Sequence, residues 1–206
     1  MSPGATFERV YNELKRQLAE GLLPPGTPIE PAQLTDSLAA SITPIRDALH
    51  RLTGERLVEA PHHNGFIVPR PTEAALRDLY AWNAQILGLA ARRLRSAEAV
   101  RVPGPFLPEE IATATAALFT EIARISGSQE HVRAVEHLND RLAPFRRMEA
   151  HLFDDGIRVH DAILTYLVAG DRARLTTLLD RYHRSRVRRV PELLHAAADA
   201  NGSSVR

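Results

Sequence analysis

The sequence predicts a mainly α-helical chain in two parts: a small N-terminal domain whose helices are closed by a β-hairpin, and an all-helical C-terminal bundle. Three observations predict it. Apolar residues recur at three- to four-residue intervals over most of the 206 residues. Strand-like patterning is confined to Leu57-Val58-Glu59-Ala60 and Phe66-Ile67-Val68-Pro69, which flank a polar loop. Arg70-Pro71 then interrupts the chain before a new helical period begins, giving expected domains of 1–70 and 71–206.

Phe7, Val10, Tyr11, Leu14 and Leu18 mark a first helix over about 7–20, and Pro24-Pro25-Gly26 forces a turn after it. Leu34 to Ala40 reads as a short helix, and a tight turn leads into a second helix that carries Ile45, Ala48 and Leu49. Ser41 and Thr43 are both placed to cap that second helix. Pro44 falls in its first turn, where a missing N–H costs little. Two helices with one small shared core, followed by a hairpin, describe a winged helix-turn-helix, which lays its second helix in the major groove of DNA. Arg46, one turn into that helix, is then the candidate contact to bases or phosphates. Pro61-His62-His63-Asn64-Gly65 forms the tip of the wing.

In the second part Thr72 and Glu73 start a helix that continues to about Arg95, and Val102-Pro103-Gly104-Pro105 breaks the chain. Further helices are expected over about 108–126, from 130 to near Phe153 with a kink at Pro144, from the Asp154-Asp155 cap to Ala169, and from Asp171 to about Val190. A short last helix starts at Pro191 and is followed by a frayed tail.

Composition narrows the class. Hydrophobic content of 44% and charged content of 25% are ordinary for a globular protein. The absence of cysteine excludes a disulfide framework and thiolate chemistry, and fits a reducing compartment. No apolar run approaches the roughly 20 residues that span a bilayer, so the expected location is the cytoplasm. The formal net charge is +1, and Lys15 is the only lysine. Residues 1–70 hold seven Lys and Arg against eight Asp and Glu, less basic than a domain that neutralises several phosphates usually is. Arg46, His50, Arg51 and Arg56 nonetheless cluster, while Glu8, Glu13 and Glu20 lie on another helix.

The run Leu23-Pro24-Pro25-Gly26-Thr27, then Leu34 and Leu38-Ala39-Ala40-Ser41-Ile42-Thr43-Pro44-Ile45-Arg46-Asp47-Ala48-Leu49, then Leu52, Glu55, Leu57 and Val58, resembles the N-terminal signature of GntR-family bacterial transcription regulators. Residues 71–206 more loosely resemble the helical FCD-type effector domain of the FadR-like subfamily, in a divergent form. The resemblance implies a sequence-specific regulator, a repressor, acting as a homodimer on a palindromic operator in double-stranded DNA. It also implies control by a small molecule, often a carboxylate, bound in the helical domain. Ser41, Thr43, Arg46, His62, His63, Asn64 and Gly65 are the residues expected at DNA. Two arginines usual in the family are replaced here by Ala32 and Ile42, which leaves more of the base contact to Arg46 and Thr43.

For the effector site the geometry offers its own argument. His160 and His183 lie ten and twelve residues on either side of the Gly170-Asp171 turn, about 15–18 Å along two antiparallel helices, so their imidazoles are nearly level. In the resembling family such a pair joins an Asp and a third His to bind a divalent metal, but the matching positions here are Ala116 and Thr120. Two histidines alone make a weak site, so no cofactor is certain and a divalent metal stays open with His160 and His183 as its weak candidates. His160, His183, Asn83 and Thr120 are read as lining a metal-free effector pocket, with simple core histidines as the other alternative. Trp82 and Tyr80 are placed near its wall. Two other readings compete. One is an interaction protein derived from a regulator, motivated by the missing arginines. The other is an HD-type metal phosphohydrolase, motivated by the His160-Asp161 pair. No nucleophile elbow or phosphate-binding glycine loop is present, and the chain is not expected to be an enzyme.

Overall fold

The computed structural model describes residues 3–62, 65–94, 100 and 110–202. They divide into two compact units, Met1–Pro71 with Ala197–Arg206, and Thr72–Ala196, whereas the sequence reading placed all of 71–206 in the second domain.

The first unit begins with α1 (Pro3–Ala19), which starts earlier than its apolar period and buries Val10, Tyr11, Leu14 and Leu18. The chain turns at Gly26, whose φ of +90° only glycine adopts freely. A Cβ there would also lie 2.6 Å from the Arg70 guanidinium. A two-residue strand β1 (Pro28–Ile29) follows, which the sequence reading missed. The first helix of the helix-turn-helix is shorter than expected: a 3-10 turn over Pro31–Leu34 runs into hydrogen-bonded turns. Those turns close in a left-handed cap. Ala39 takes φ +43° while the Ala40 amide donates back to the Thr35 carbonyl and the Ala39 amide to Asp36. The Arg9 guanidinium braces it by donating to the Ala39 carbonyl at 3.1 Å.

Helix α2 (Ile42–Gly54) buries Ile45, Ala48, Leu49 and Leu52 at helical spacing. Ser41 occupies its N-cap with extended backbone, but no side chain caps it, and Thr43 already lies inside the helix. The expected double cap is therefore corrected: the capping role of Thr43 is geometrically closed to it. Arg56, at φ +58°, forms a second left-handed cap after Glu55. Strands β2 (Glu59–His62) and β3 (Gly65–Ile67) make the predicted wing, and β3 is the centre strand of an antiparallel sheet ordered β1-β3-β2. Ile29 pairs with Phe66 and Glu59 with Ile67. Ile29, Leu38, Leu57, Val58, Phe66 and Val68 join the buried faces of α1 and α2 in one apolar core.

The second unit consists of α3 (Glu73–Arg92), α4 (Ile111–Ile125), α5 (Gln129–Leu152), α6 (Gly156–Val168), α7 (Arg172–Arg188) and the first part of α8 (Val190–Gly202). Thr72 caps α3 as expected, accepting from the Ala75 amide at 3.2 Å. Ser128 caps α5 and Asp171 caps α7 in the same way. Gly127 and Gly170, at φ +74° and +66°, end α4 and α6. Asp155 caps nothing with its side chain. Its carboxylate instead reaches Arg186, 3.4 Å away. Helix α5 continues through Pro144. The inward stripe of α6 is His160, Ile163 and Leu167, while Ile157 is exposed. The expected breaks at Val102–Pro105 and at the extreme C-terminus lie outside the described residues.

A non-glycine residue in the left-handed region carries about 1 kcal/mol or more of strain. Ala39 is exposed and loses no packing on substitution. Ala39→Gly is therefore expected to raise stability by roughly 0.5 kcal/mol, after the extra chain entropy of glycine is deducted. Urea unfolding checks this, and a lowered midpoint would contradict it.

Candidate functional site

Two candidate sites emerge, one in each unit. In the first unit, α2 is anchored by its apolar side and presents Thr43, Arg46, Asp47 and His50 on the other. Ser41 and Thr43 are exposed, Arg46 is exposed, and Arg46 has no ion pair or hydrogen bond among the described residues. Ile42, where an arginine was looked for, is 44% exposed. The basic cluster expected from sequence is split. Arg51 lies 4.0 Å from the Tyr11 ring, donates to Glu8 and Glu55, and so is spent on fastening α2 to α1. Tyr11 donates to the same Glu55 carboxylate at 2.8 Å. His50 packs edge-on against Phe66, ring centroids 5.1 Å apart. Arg46 and Arg56 thus remain exposed, one at the start and one at the end of the helix. In the wing, the backbone of His62 pairs with Gly65, and the intervening His63 and Asn64 lie outside the described residues.

The second site is a buried polar cluster between α3, α5 and α7. Glu149 is 7% exposed and is shared by three donors. The Tyr80 hydroxyl donates to Oε1 at 2.7 Å, the Tyr182 hydroxyl to Oε2 at 2.7 Å, and Arg186 Nε to Oε2 at 3.0 Å. Burial and then the Glu149 carboxylate push both phenols well above their ordinary range, which keeps them protonated as donors. Arg186, 2% exposed, is sandwiched at 3.9 Å from the Tyr182 ring and 4.2 Å from that of Phe153, and reaches Asp155 at 3.4 Å.

Beside this cluster runs a ladder that begins at the two positions without metal-binding side chains. Asn139 Nδ2 donates to the Ala116 carbonyl at 2.9 Å and to the Thr120 hydroxyl at 3.0 Å. Its Oδ1 accepts from Arg146 Nη1 at 2.6 Å. A tight cavity lies alongside, with about 20 Å³ of room for the centres of water-sized occupants. Arg146, Arg186, Glu149, Tyr182, Thr115 and His160 supply its polar lining, and Ile111, Leu118 and Ile163 much of its apolar wall.

The four residues proposed for the pocket from sequence do not share one place. His160 lines the cavity and approaches Asp161 at 3.4 Å. His183 is turned toward α3: Nδ1 lies 2.7 Å from the Leu179 carbonyl and Nε2 3.0 Å from the Asn83 amide. Burial drives its pKa down to about 3, so the ring is neutral and has a single N–H to share between two acceptors, the Leu179 carbonyl beside Nδ1 and Asn83 Oδ1 beside Nε2. With Nδ1 donating to Leu179, Nε2 accepts once the Asn83 amide turns its Nδ2 toward it. Both its nitrogens are thus committed. Thr120 belongs to the Asn139 ladder. Trp82, expected at the wall, is 49% exposed.

Sequence reasoning missed Arg146, Glu149, Asn139 and Arg186. A signal was present: Asn139, Arg146 and Glu149 fall at three- and four-residue steps along the same stripe as Val135 and Leu142. Charged residues on an apolar stripe mark a buried network.

A metal does not fit this donor set. Among the described residues no group of three or more His, Cys, Asp and Glu is placed to hold an ion, and the Asp161 side chain is 65% exposed.

Because the His183 pKa is lowered on folding, the unfolded chain binds more protons as pH falls below about 6.5. The stability that its neutral form contributes is complete above that pH and is lost progressively toward pH 3. His183→Gln is expected to flatten the decline in unfolding free energy between pH 7 and pH 5 by about 2 kcal/mol. Identical slopes for the two proteins would refute the assignment.

Comparisons with known proteins bear on both units. A model of the bacterial regulatory proteins of the gntR family matches residues 6–68. The uncharacterized HTH-type transcriptional regulator YdhC of Bacillus subtilis (strain 168) is 32% identical over 78 residues, 38% of this chain and 35% of that protein. The HTH-type transcriptional regulator McbR of Escherichia coli (strain K12) is 35% identical over 71 residues, 34% of this chain and 32% of that protein. These matched segments span about a third of either relative. The HTH-type transcriptional repressor GlaR of the same strain is 24% identical over 84% of this chain and 90% of its own length. The solved structure of E. coli McbR/YncC has the same fold, with a TM-score of 0.71, 20% identity and coverage of 93% of this chain and 98% of that one. Residues 6–68 therefore form a winged helix-turn-helix that matches the model of the gntR family of bacterial regulatory proteins.

Proposed function

We propose that this chain is a sequence-specific, DNA-binding transcriptional regulator, a repressor, controlled by a small molecule in its helical unit. The observation that carries the reading is the exposed side of α2, where Thr43 and Arg46 stand clear on a helix held from behind by Ile45, Ala48, Leu49 and Leu52. Arginine and threonine at the start of such a helix suit base edges and phosphates, and Ile42 suits a thymine methyl. With Arg51 committed internally, few phosphates are neutralised, so DNA shape carries part of the specificity. Wing residues His62, His63, Asn64 and Gly65 complete this interface in the reading.

The partner is a palindromic operator in double-stranded DNA, read by a homodimer. Exposed Trp82 and Leu89, seven residues apart on α3 and 49% and 43% exposed, support an apolar face for the second copy. Among the described residues no helix is long and apolar enough to cross a membrane, which accords with a cytoplasmic place of action. The helical unit is taken as an FCD-type effector domain without its metal, since His183 is committed to Leu179 and Asn83 and Ala116 and Thr120 supply no ligand pair. The interaction-protein and phosphohydrolase readings gain no specific observation.

On a DNA fragment from upstream of its own gene, the protein is expected to form a salt-sensitive, specific complex that fluorescence anisotropy resolves. Arg46→Ala should weaken that complex about tenfold or more without loss of folding, the usual scale for one base-reading arginine. Wild-type affinity in Arg46→Ala would sink the assignment of α2 as the reading helix. Treatment with EDTA is expected to leave the unfolding temperature unchanged, and a drop reversed by a divalent metal would overturn the metal-free pocket.

A further inference from the structure

We infer that Arg146 is the docking point for a small organic monocarboxylate, held by the unpaired edge of its buried guanidinium. The inference rests on the proposed reading of the helical unit as an effector domain and names the chemistry of its ligand.

Arg146 is 2% exposed and lines the cavity between α4, α5, α6 and α7. Only Nη1 is used, by Asn139. Nε and Nη2 are buried and have no hydrogen-bond partner among the described residues. These two nitrogens form one edge of the guanidinium, with parallel N–H bonds whose spacing matches the two oxygens of a carboxylate. Phe119 backs the guanidinium at 5.1 Å, and Asn139 pins its far corner, so the fork is held in position before any ligand arrives.

Charge points the same way. Among the described residues the cluster buries two guanidinium groups, those of Arg146 and Arg186, beside one well-buried carboxylate, Glu149, while Asp155 is partly exposed and contacts Arg186. Glu149 is already engaged by Tyr80, Tyr182 and Arg186, which leaves Arg146 without a carboxylate of its own. An uncompensated buried charge is costly, and a bound anion removes that cost. The same neighbour sets the ligand's charge: a second negative charge would face Glu149, so a monoanion is preferred to a dianion. Ile111, Leu118 and Ile163 offer an apolar seat for a short organic tail, and Thr115 and His160 offer polar contacts. The cavity's small volume means that anything larger than a few atoms must push α4 and α6 apart. Such a push supplies the differential contact through which a ligand shifts a regulator between states.

The test uses the full chain at neutral pH and constant ionic strength, titrated with sodium acetate, propionate and benzoate up to tens of millimolar, with chloride as the reference. A saturable rise in unfolding temperature is expected with at least one of these probes. It should vanish in Arg146→Met and require at least tenfold more probe in Arg146→Lys, which keeps the charge but loses the fork. In the wild-type protein the Nε–H resonance of Arg146 should move on saturation, and this readout decides the matter if the variants fail to fold. No rise with any probe, an equal rise in Arg146→Met, or an unmoved resonance overturns the inference. Operator binding separates the two levels. Binding at Arg146 with no effect on DNA affinity upholds this inference and defeats the effector reading. A compound that releases DNA equally from Arg146→Met upholds the effector reading and defeats this one.

Discussion

The helical unit depends on how one buried carboxylate is shared. Glu149 on α5 holds Tyr80 of α3 and both Tyr182 and Arg186 of α7, while Arg186 reaches on to Asp155 before α6. Each bond spans at least 31 residues of sequence, so the cluster fixes the relative placement of helices that local propensity cannot align. Its members are costly to bury singly, and together they satisfy one another. The energetic consequence is asymmetry. Removing one partner leaves a buried charge exposed to the low-dielectric interior at a cost of about 3–5 kcal/mol, far more than the pair contributes over an apolar alternative.

A smaller version of the same logic organises the first unit. Glu55 at the end of α2 takes the Tyr11 hydroxyl and Arg51, and Arg51 lies over the Tyr11 ring. This arrangement ties the back of α2 to α1 and leaves Arg46 outward. Glu8 and Glu55 are occupied by Arg51 and Lys15, while Asp47 shares the outer face of α2 with Arg46.

Much of this was legible in the sequence, and the limits have physical causes. Helical periodicity located α1 to α8 because their apolar stripes are long, and Gly127, Gly170, Thr72 and Asp171 marked ends by local backbone chemistry. The two-residue strand β1 was invisible because its only support is pairing with β3 nearly forty residues away. The short first helix of the helix-turn-helix broke into 3-10 and turn structure because Ala39 takes the left-handed cap that closes it. His160 and His183 are both buried, but spacing along two helices does not say which way a ring turns. His183 found Asn83 and the Leu179 carbonyl instead of the cavity. Arg146 and Glu149 escaped notice because a charged residue on an apolar stripe looks like an edge position until its partners on other helices are known.

The central claim is that Glu149 and Arg186 act as one coupled unit in the helical domain. A double-mutant cycle in urea at neutral pH, with Glu149→Gln, Arg186→Met and the double variant, tests it most directly. The structure predicts that the double variant is much less destabilised than the sum of the two single ones, with a coupling of about 2 kcal/mol or more. Effects that add to within about 0.5 kcal/mol would contradict it and would reduce the cluster to ordinary surface-like pairing.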